Sequence, residues 1–250
     1  GPDDEGFYFG DNFAFGHRRL SILDLSQDGH QPMHYNDRYT ITYNGEVYNY
    51  IELKDELKKL GYSFNSNTDT EVILAAYDKW GESCVNKFNG MWSFALFDRK
   101  ENNIFCSRDR FGIKPFYYTE VDNKFIFGSE IKQLLEFHDR NLVNKDILID
   151  FIVTRFEDYN NDTFFQGIKK LEQSHNLIYD LNNHSFSIKR YYDITINDEV
   201  KKLSLDDSIS EYREKFNQAI NYRLRSDVKV GTCLSGGLDS SSIASIAAQE

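Results

Sequence analysis

Alternating hydrophobic and polar positions predict strands over much of the first two thirds of the chain. The predicted strands are His17–Leu25, Arg38–Asn44, Met91–Asp98, Asn103–Ser107, Phe116–Thr119, Lys124–Gly128, and two near Asn176–Leu181 and Phe186–Tyr192. Short polar turns join the third strand to the fourth and the fifth to the sixth. These two pairs are therefore predicted to form antiparallel hairpins.

Apolar residues spaced three and four apart predict helices between these strands. One predicted helix covers Asn49–Leu60. A second is capped by Thr68 or Asp69 and ends at Gly81. A third covers Asn144–Phe156. The residues predicted to face inward from this third helix are Ile147, Leu148, Phe151 and Ile152.

The pattern changes near residue 195, where we predict a domain boundary. Asp193–Lys202 is a polar connector, and Ser204 then opens a long amphipathic helix. Its predicted apolar face consists of Ile209, Tyr212, Phe216, Ile220 and Leu224. Val228–Cys233 reads as a short apolar strand that leads into a new helix. We therefore predict an α+β domain over residues 1–195 and the beginning of an α/β domain over residues 196–250.

Composition excludes several classes of protein. The chain has 250 residues, with 29 Lys and Arg against 40 Asp and Glu, so its net charge is −11. That charge argues against a nucleic-acid binder, and no apolar run is long enough to span a membrane. The three cysteines, Cys84, Cys106 and Cys233, are scattered and predict small buried residues in a reducing cytoplasm, not disulfides or a zinc site.

The sequence after the last predicted strand has the features of a phosphate-binding loop. It reads Leu234, Ser235, Gly236, Gly237, Leu238, Asp239, Ser240 and Ser241. The two glycines allow the backbone to approach an anion, and the N–H groups of the following helix point towards it. The lysine of a Walker A loop is absent. The alternative is a simple Gly-Gly turn followed by a serine-capped helix.

This loop resembles the pyrophosphate loop of enzymes that cleave ATP into AMP and pyrophosphate. Segments before it resemble the class II glutamine amidotransferase domain: they are Gly1–Gly6, His17–Ile22, Asn44–Asn49 and Thr68–Val72. Together, the segments and the loop resemble the B-type, glutamine-hydrolysing asparagine synthetase family. The resemblance implies an α+β N-terminal-nucleophile glutaminase domain of antiparallel sheets sandwiched with helices. It implies that an α/β adenine-nucleotide α-hydrolase-like synthetase domain follows.

The resemblance also implies roles for individual residues. Asn44 and Gly45 match the oxyanion-stabilising positions, whereas Arg19 matches the arginine that binds the carboxylate of glutamine. Asp69 and Glu46 match the carboxylates that receive the ammonium group. The residues that the resemblance implies for ATP binding are Leu234, Ser235, Gly236, Gly237, Leu238, Asp239 and Ser240. Asp239 would also bind a Mg²⁺ ion that contacts the pyrophosphate group.

Each of the glutamine-site assignments has a simpler alternative. Arg19 could be an exposed strand arginine, and Asp69 could serve only as a helix cap. The Asn44-Gly45 pair could be a hairpin turn. A metal site at His17, His30 and His34 is disfavoured by their spacing.

The chain departs from the family in two ways. The family's nucleophile is an N-terminal cysteine, whereas the first residue here is Gly1 and both ends look cut. We therefore predict a fragment that hydrolyses no glutamine by itself. In addition, Gln173-Ser174-His175 stands where many members have Pro-Gly-His.

Three functions remain open at this point. The first is a part of a glutamine-dependent enzyme that amidates aspartate at the expense of ATP, with a homodimer as a possible assembly. The second is an amidotransferase acting on a sugar acid or another carboxylate. The third is a non-catalytic module that binds glutamine or ATP.

Overall fold

A computed structural model describes residues 1–138, 142–156 and 158–249. The strands are β1 Asp4–Phe9, β2 Ala14–Arg19, β3 Met33–Tyr35, β4 Tyr39–Val47, β5 Gly90–Asp98, β6 Asn103–Arg108, β7 Tyr117–Val121, β8 Lys124–Gly128, β9 Lys169–Lys170, β10 His175–Asp180 and β11 Ser185–Arg190. The helices are α1 Tyr50–Lys59, α2 Asp69–Trp80, α3 Ile131–Leu134, α4 Lys145–Thr154, α5 Leu205–Arg223 and α6 Leu238–Ala247.

Three antiparallel sheets organise the first 190 residues. The largest has the strand order β11-β10-β6-β5-β4-β3, and the smaller ones are β1-β2 and β8-β7-β9. The longest pairing joins β4 to β5, from Tyr39 opposite Asp98 to Val47 opposite Gly90. This pairing holds the whole of β4 against β5, whereas β3 pairs only with residues 39–41 of β4.

Both faces of the central strands β5 and β6 are buried, whereas the edge strand β11 is mostly exposed. Neighbouring residues of a strand point to opposite faces of the sheet. Phe94 of β5 belongs to the core that α1 and α2 cover, together with Ile41 and Val72. The adjacent Ala95 belongs to a second core, which includes Phe15 and Phe116 and lies towards the smaller sheets. The antiparallel sheets sandwiched with helices that the sequence predicts are therefore observed.

The signals at the helix ends are also confirmed. The Thr68 hydroxyl caps α2 by accepting a hydrogen bond from the Glu71 N–H at 3.2 Å. Gly61 and Gly81 follow α1 and α2 with φ values of +94° and +57°, which favour glycine. The first predicted strand is shorter than expected: β2 ends at Arg19, and residues 20–26 form a loop.

Several predictions after residue 144 are wrong. Val228–Cys233 forms no strand, because none of the described strands pairs with it. Leu148 and Ile152 of α4 are exposed, as are Ile209 and Tyr212 of α5. Cys233 is exposed as well, whereas Cys84 and Cys106 are buried as predicted. Apolar spacing alone identifies a face of a helix, but it does not establish that anything covers that face.

At Gln173-Ser174-His175, where the chain departs from the family, a serine occupies a backbone position that favours glycine. Ser174 has a φ of +65°, the left-handed region in which the family's glycine is unstrained. Its N–H donates to Asp109 O at 3.0 Å, and its hydroxyl donates to Arg110 O at 2.8 Å. The serine therefore keeps the turn that a glycine would form and adds one hydrogen bond to it.

No helix within the described ranges is both long enough and apolar enough to cross a membrane. The connector predicted over Asp193–Lys202 is observed in part. Residues 193–199 form neither helix nor strand, whereas Val200–Lys202 form a short 3-10 helix.

Candidate functional site

A single cavity of about 520 Å³ is lined by all five residues to which the sequence assigns glutamine chemistry. Arg19 ends β2, Asn44, Gly45 and Glu46 lie within β4, and Asp69 begins α2. Three elements that are distant along the chain therefore place a guanidinium, an amide and two carboxylates around one space.

The guanidinium of Arg19 is buried and held by backbone carbonyls. Only 7% of Arg19 is exposed, so it is not the exposed strand arginine of the simpler alternative. Its Nη1 donates to Ser26 O at 2.9 Å, and its Nη2 donates to Leu23 O at 3.1 Å and to Asp24 O. Carbonyls orient the guanidinium without neutralising its charge, so it remains able to bind an anion.

Asp69 supplies buried negative charge to the same cavity. Its Oδ2 accepts hydrogen bonds from the Tyr43 hydroxyl and from the Val47 N–H, each at 2.8 Å. Burial raises its pKa to about 6. The pKa of neighbouring Glu46 is also raised, by burial and by the charge of Asp69. Since Thr68 is the helix cap, the simpler role for Asp69 is wrong.

Asn44 and Gly45 lie in the middle of β4, opposite Ser93 and Trp92 of β5. The hairpin-turn alternative is therefore wrong. The Asn44 side-chain Nδ2 donates to the Ser129 hydroxyl at 3.4 Å. An amide donor and a strand backbone that both border the cavity could stabilise a developing oxyanion.

Replacing Gly45 by alanine is expected to destabilise the fold by about 1–3 kcal/mol, the usual cost of overpacking. A Cβ at Gly45 would lie 2.2 Å from the Met91 carbonyl oxygen and 2.7 Å from the Trp92 Cα, which are backbone atoms of β5. Urea unfolding would measure the loss of stability. Gly231→Ala is the matched control, because a Cβ there meets nothing within 4 Å. Equal midpoints for the two variants would contradict the close approach of β4 to β5.

The sequence did not reveal four residues that shape this cavity. Tyr43 bonds to Asp69, Ser129 accepts from Asn44, and Asp24 supplies a carbonyl to Arg19. His17 lines the cavity, and burial lowers its pKa to about 4, so it is neutral near pH 7. The Asp-Leu-Ser turn chemistry at residues 24–26 was the available signal for Asp24.

The predicted ATP loop lies elsewhere, because every residue lining the cavity precedes residue 134. Residues 234–240 are almost wholly exposed, and α6 begins directly after Gly237. Gly236 has a φ of +80°, and no side chain caps the first N–H groups of α6. The Ser235 and Ser240 hydroxyl oxygens are 2.9 Å apart. This geometry fits a phosphate group at a helix N-terminus.

The cysteines do not contribute to the cavity. Burial raises the thiol pKa of both Cys84 and Cys106, and neither borders the cavity. Within the described part of the chain, no three His, Cys, Asp or Glu side chains form a group able to hold a metal ion.

Comparisons with known proteins show which proteins this chain is similar to. The chain is 43% identical to a putative glutamine-hydrolysing asparagine synthetase 2 of Methanocaldococcus jannaschii, over 98% of the chain and 51% of that protein. It is 40% identical to asparagine synthetase 3 of Bacillus subtilis, over 99% of the chain and 40% of that protein. A Gibberella zeae protein named Amidase chry2 is 36% identical, over 98% of the chain and 36% of its own length. The chain thus spans about half, or less, of these relatives.

One solved structure supports the fold. A glutamine phosphoribosylpyrophosphate amidotransferase from B. subtilis matches with a TM-score of 0.50 and 17% identity, covering 94% of the chain and 50% of that protein. The likeness confirms the predicted fold and carries no information on substrate. Residues 1–192 match the family described as glutamine amidotransferase domain, and residues 211–250 match the family described as asparagine synthase. The chain therefore belongs to the glutamine amidotransferase domain family, joined to the beginning of an asparagine synthase domain.

Proposed function

We propose that the cavity binds and hydrolyses glutamine as part of a longer enzyme, which uses the ammonia to amidate aspartate with ATP. The observation that carries this proposal is the placement of a buried guanidinium, two carboxylates and an amide donor around one cavity. The boundary between the two catalytic units is proposed near residue 195. The relatives named as glutamine-hydrolysing asparagine synthetases support this function.

The charges in the cavity suit a free amino acid, which carries both an anion and a cation. The Arg19 guanidinium is proposed to hold the α-carboxylate through its buried positive charge and through the N–H groups that Ser26, Leu23 and Asp24 leave free. Asp69 and Glu46 are proposed to hold the α-ammonium group. Binding both charges in one orientation presents the side-chain amide of glutamine towards Asn44 and Gly45.

Amide hydrolysis by a thiolate passes through a tetrahedral intermediate with a negatively charged oxygen. We assign the stabilisation of that oxygen to the Asn44 side-chain amide and the Gly45 backbone. Family resemblance assigns the thiolate to an N-terminal cysteine whose own α-amine acts as base. Cys84, Cys106 and Cys233 do not border the cavity, so none of them is proposed as the nucleophile.

ATP is proposed to bind through residues Leu234–Ser240, with its phosphates at the N-terminus of α6. The positive φ of Gly236 and the uncapped helix start fit this role. The acceptor carboxylate would attack the α-phosphate of ATP and release pyrophosphate, and ammonia would then displace AMP from the resulting acyl-adenylate to form the amide. A Mg²⁺ ion held through the phosphates and Asp239 would match the oxygen ligands that this ion prefers.

The acceptor of the ammonia is proposed to be aspartate. Aspartate is favoured by the names of the bacterial and archaeal relatives, and a sugar acid or another carboxylate is the alternative. Measuring ATP-dependent amidation by the full-length gene product, with aspartate and with sugar acids as acceptors, would distinguish these two acceptor classes. A cytoplasmic location and a homodimer complete the proposed setting.

The test uses the 250-residue chain and the full-length gene product side by side. We expect the chain to bind glutamine in calorimetry without releasing ammonia, because no cysteine borders its cavity. The full-length product is expected to release ammonia from glutamine. Asparagine serves as the control ligand, because its side chain is one carbon shorter. Absence of glutamine binding and of ammonia release from both proteins would contradict the proposal.

A further inference from the structure

The loop that holds Arg19 is connected to three other parts of the molecule through Asp24. The Asp24 carbonyl accepts from Arg19, and its carboxylate accepts from the Asn67 N–H at 2.9 Å and from the Ser26 N–H at 3.1 Å. Asn67 is two residues before Asp69. Asp24 thereby connects the two segments that carry the opposite charges of the cavity.

The third connection comes from the segment that matches the asparagine synthase family. The Asp24 N–H donates to Asp227 Oδ2 at 2.7 Å, and the Asp227 N–H donates to Ile22 O at 3.0 Å. Asp227 therefore contacts the Arg19 loop from the opposite end of the chain. The contact is polar at both ends and is made to backbone groups of the loop.

A separate contact anchors the same segment on α1. Arg225 forms a two-bond ion pair with Glu52, at 2.6 Å and 2.7 Å, and also donates to Tyr48 O at 2.7 Å. The Arg225 contacts lie outside the Arg19 loop. The segment thus contacts the Arg19 loop through Asp227 and α1 through Arg225. Variants at Asp227 and at Glu52 can therefore remove the two contacts one at a time.

We propose that Asp227 is a positioning residue for the carboxylate half of the glutamine site. This inference rests on the proposed function of the cavity. Asp227 holds the backbone of the loop whose carbonyls in turn orient the Arg19 guanidinium. It acts through Arg19 and does not itself touch glutamine.

The character of the loop explains why one hydrogen bond matters. Leu25 is 58% exposed, residues 25–28 are all exposed, and Asp24 has a φ of +52°. With little apolar packing, this backbone depends on its polar contacts to keep its shape. A shift of the carbonyls of Leu23 and Asp24 would turn the guanidinium away from its carboxylate-binding orientation.

The coupling is reciprocal by thermodynamic necessity. If Asp227 favours the orientation of Arg19 that binds glutamine, glutamine binding must favour the contact between the loop and Asp227 to the same degree. Asp227 lies eight residues before Ser235 of the proposed ATP loop. Occupancy of the glutamine site would therefore stabilise the segment that leads into the ATP loop.

Hydrogen exchange on the 250-residue chain tests the contact without depending on glutamine. In Asp227→Ala, we expect the Asp24 amide to exchange about tenfold faster, since it loses a hydrogen bond to a charged acceptor. Asp227→Asn keeps a side-chain oxygen that can accept this bond and is expected to restore most of the protection. Unchanged exchange in Asp227→Ala would overturn the inference.

Ligand affinity tests the positioning role. We expect Asp227→Ala to weaken glutamine binding about 5–10-fold, within the usual range of coupling between sites. Binding of 4-aminobutanamide, which lacks the α-carboxylate, should be unchanged because it does not engage Arg19. Asp227→Asn should bind glutamine nearly as the unaltered chain does.

Glu52→Ala is the matched control, because it removes the ion pair on α1 and leaves the Arg19 loop untouched. Equal weakening by Glu52→Ala and Asp227→Ala would overturn the inference in favour of general docking of the segment. Unchanged glutamine affinity in Asp227→Ala would overturn the inference while leaving the proposed function intact. Failure of the unaltered chain to bind glutamine would overturn both.

Discussion

Asn44→Ala in the full-length gene product is expected to lower kcat for glutamine hydrolysis about 10²–10³-fold, the usual effect of removing one oxyanion donor. The Asn44 amide borders the cavity, and its Nδ2 makes only a long hydrogen bond of 3.4 Å to the Ser129 hydroxyl. It is therefore available to a developing negative charge. Ammonia release measured against glutamine concentration would separate kcat from KM.

The KM for glutamine should change little in this variant, because Arg19 and Asp69 hold the charged groups of the ligand. Asn183→Ala is the control: Asn183 lies in the exposed turn between β10 and β11, where its amide donates to Asp180. This variant is expected to keep normal kcat and KM. A kcat for Asn44→Ala within about threefold of the control would exclude an oxyanion role, given the loss normally expected.

The sequence predicted the local structure of this site well because the signals are local. The cap at Thr68, the helix that follows and the strand containing Asn44 are each specified by neighbouring residues. The state of Asp69 is a different matter. Burial raises its pKa. The hydrogen bonds that oppose this shift come from Tyr43 and Val47, which lie more than twenty residues away in the chain.

Asp24 shows a second limit of sequence reasoning. It contacts Arg19 through a backbone carbonyl and Asp227 through a backbone N–H. Every residue type except proline offers both backbone groups. The side chains at residues 24–26 therefore indicate a turn, but they do not indicate either of these contacts. The wrong strand at Val228–Cys233 has a related cause. An apolar run indicates a tendency to be buried, whereas a strand also requires a partner for its hydrogen bonds.

Asp69→Asn is expected to weaken glutamine binding at least about 30-fold, the effect of removing one charge from a buried ion pair. The asparagine oxygen can still accept from Tyr43 and from the Val47 N–H, so the surrounding structure should persist. The loss would come from the missing attraction to the ammonium group. Calorimetry on the 250-residue chain measures this loss directly, without any need for turnover.

Asp69 also predicts how binding depends on pH. Burial raises its pKa to about 6, and only the ionised form attracts an ammonium group. Glutamine affinity should therefore rise with pH up to about 6 and level off above it. In Asp69→Asn the affinity should be flat between pH 5 and pH 8. An unchanged pH profile in this variant would assign the titration to another group, with Glu46 as the first candidate.

The matched control is Asp78→Asn, because the Asp78 carboxylate also accepts from two tyrosines, Tyr39 at 2.9 Å and Tyr62 at 2.8 Å. Asp78 does not border the cavity, so this variant should bind glutamine normally. If Asp78→Asn lost as much glutamine affinity as Asp69→Asn, the loss in both variants would come from disturbance of the fold and not from a missing charge in the cavity.

Asp69→Asn should also change the stability of the folded chain. Because the pKa of Asp69 is higher in the folded chain, at about 6, than its ordinary value of 3.8, the unfolded chain releases this proton first. Stability contributed by Asp69 is present below pH 4 and is lost as the pH rises to about 6, by on the order of 3 kcal/mol. Asp69→Asn carries no such penalty and should melt at a higher temperature than the unaltered chain at pH 7.5. A site residue whose neutralisation stabilises the fold and weakens ligand binding is maintained for its charge and not for structure.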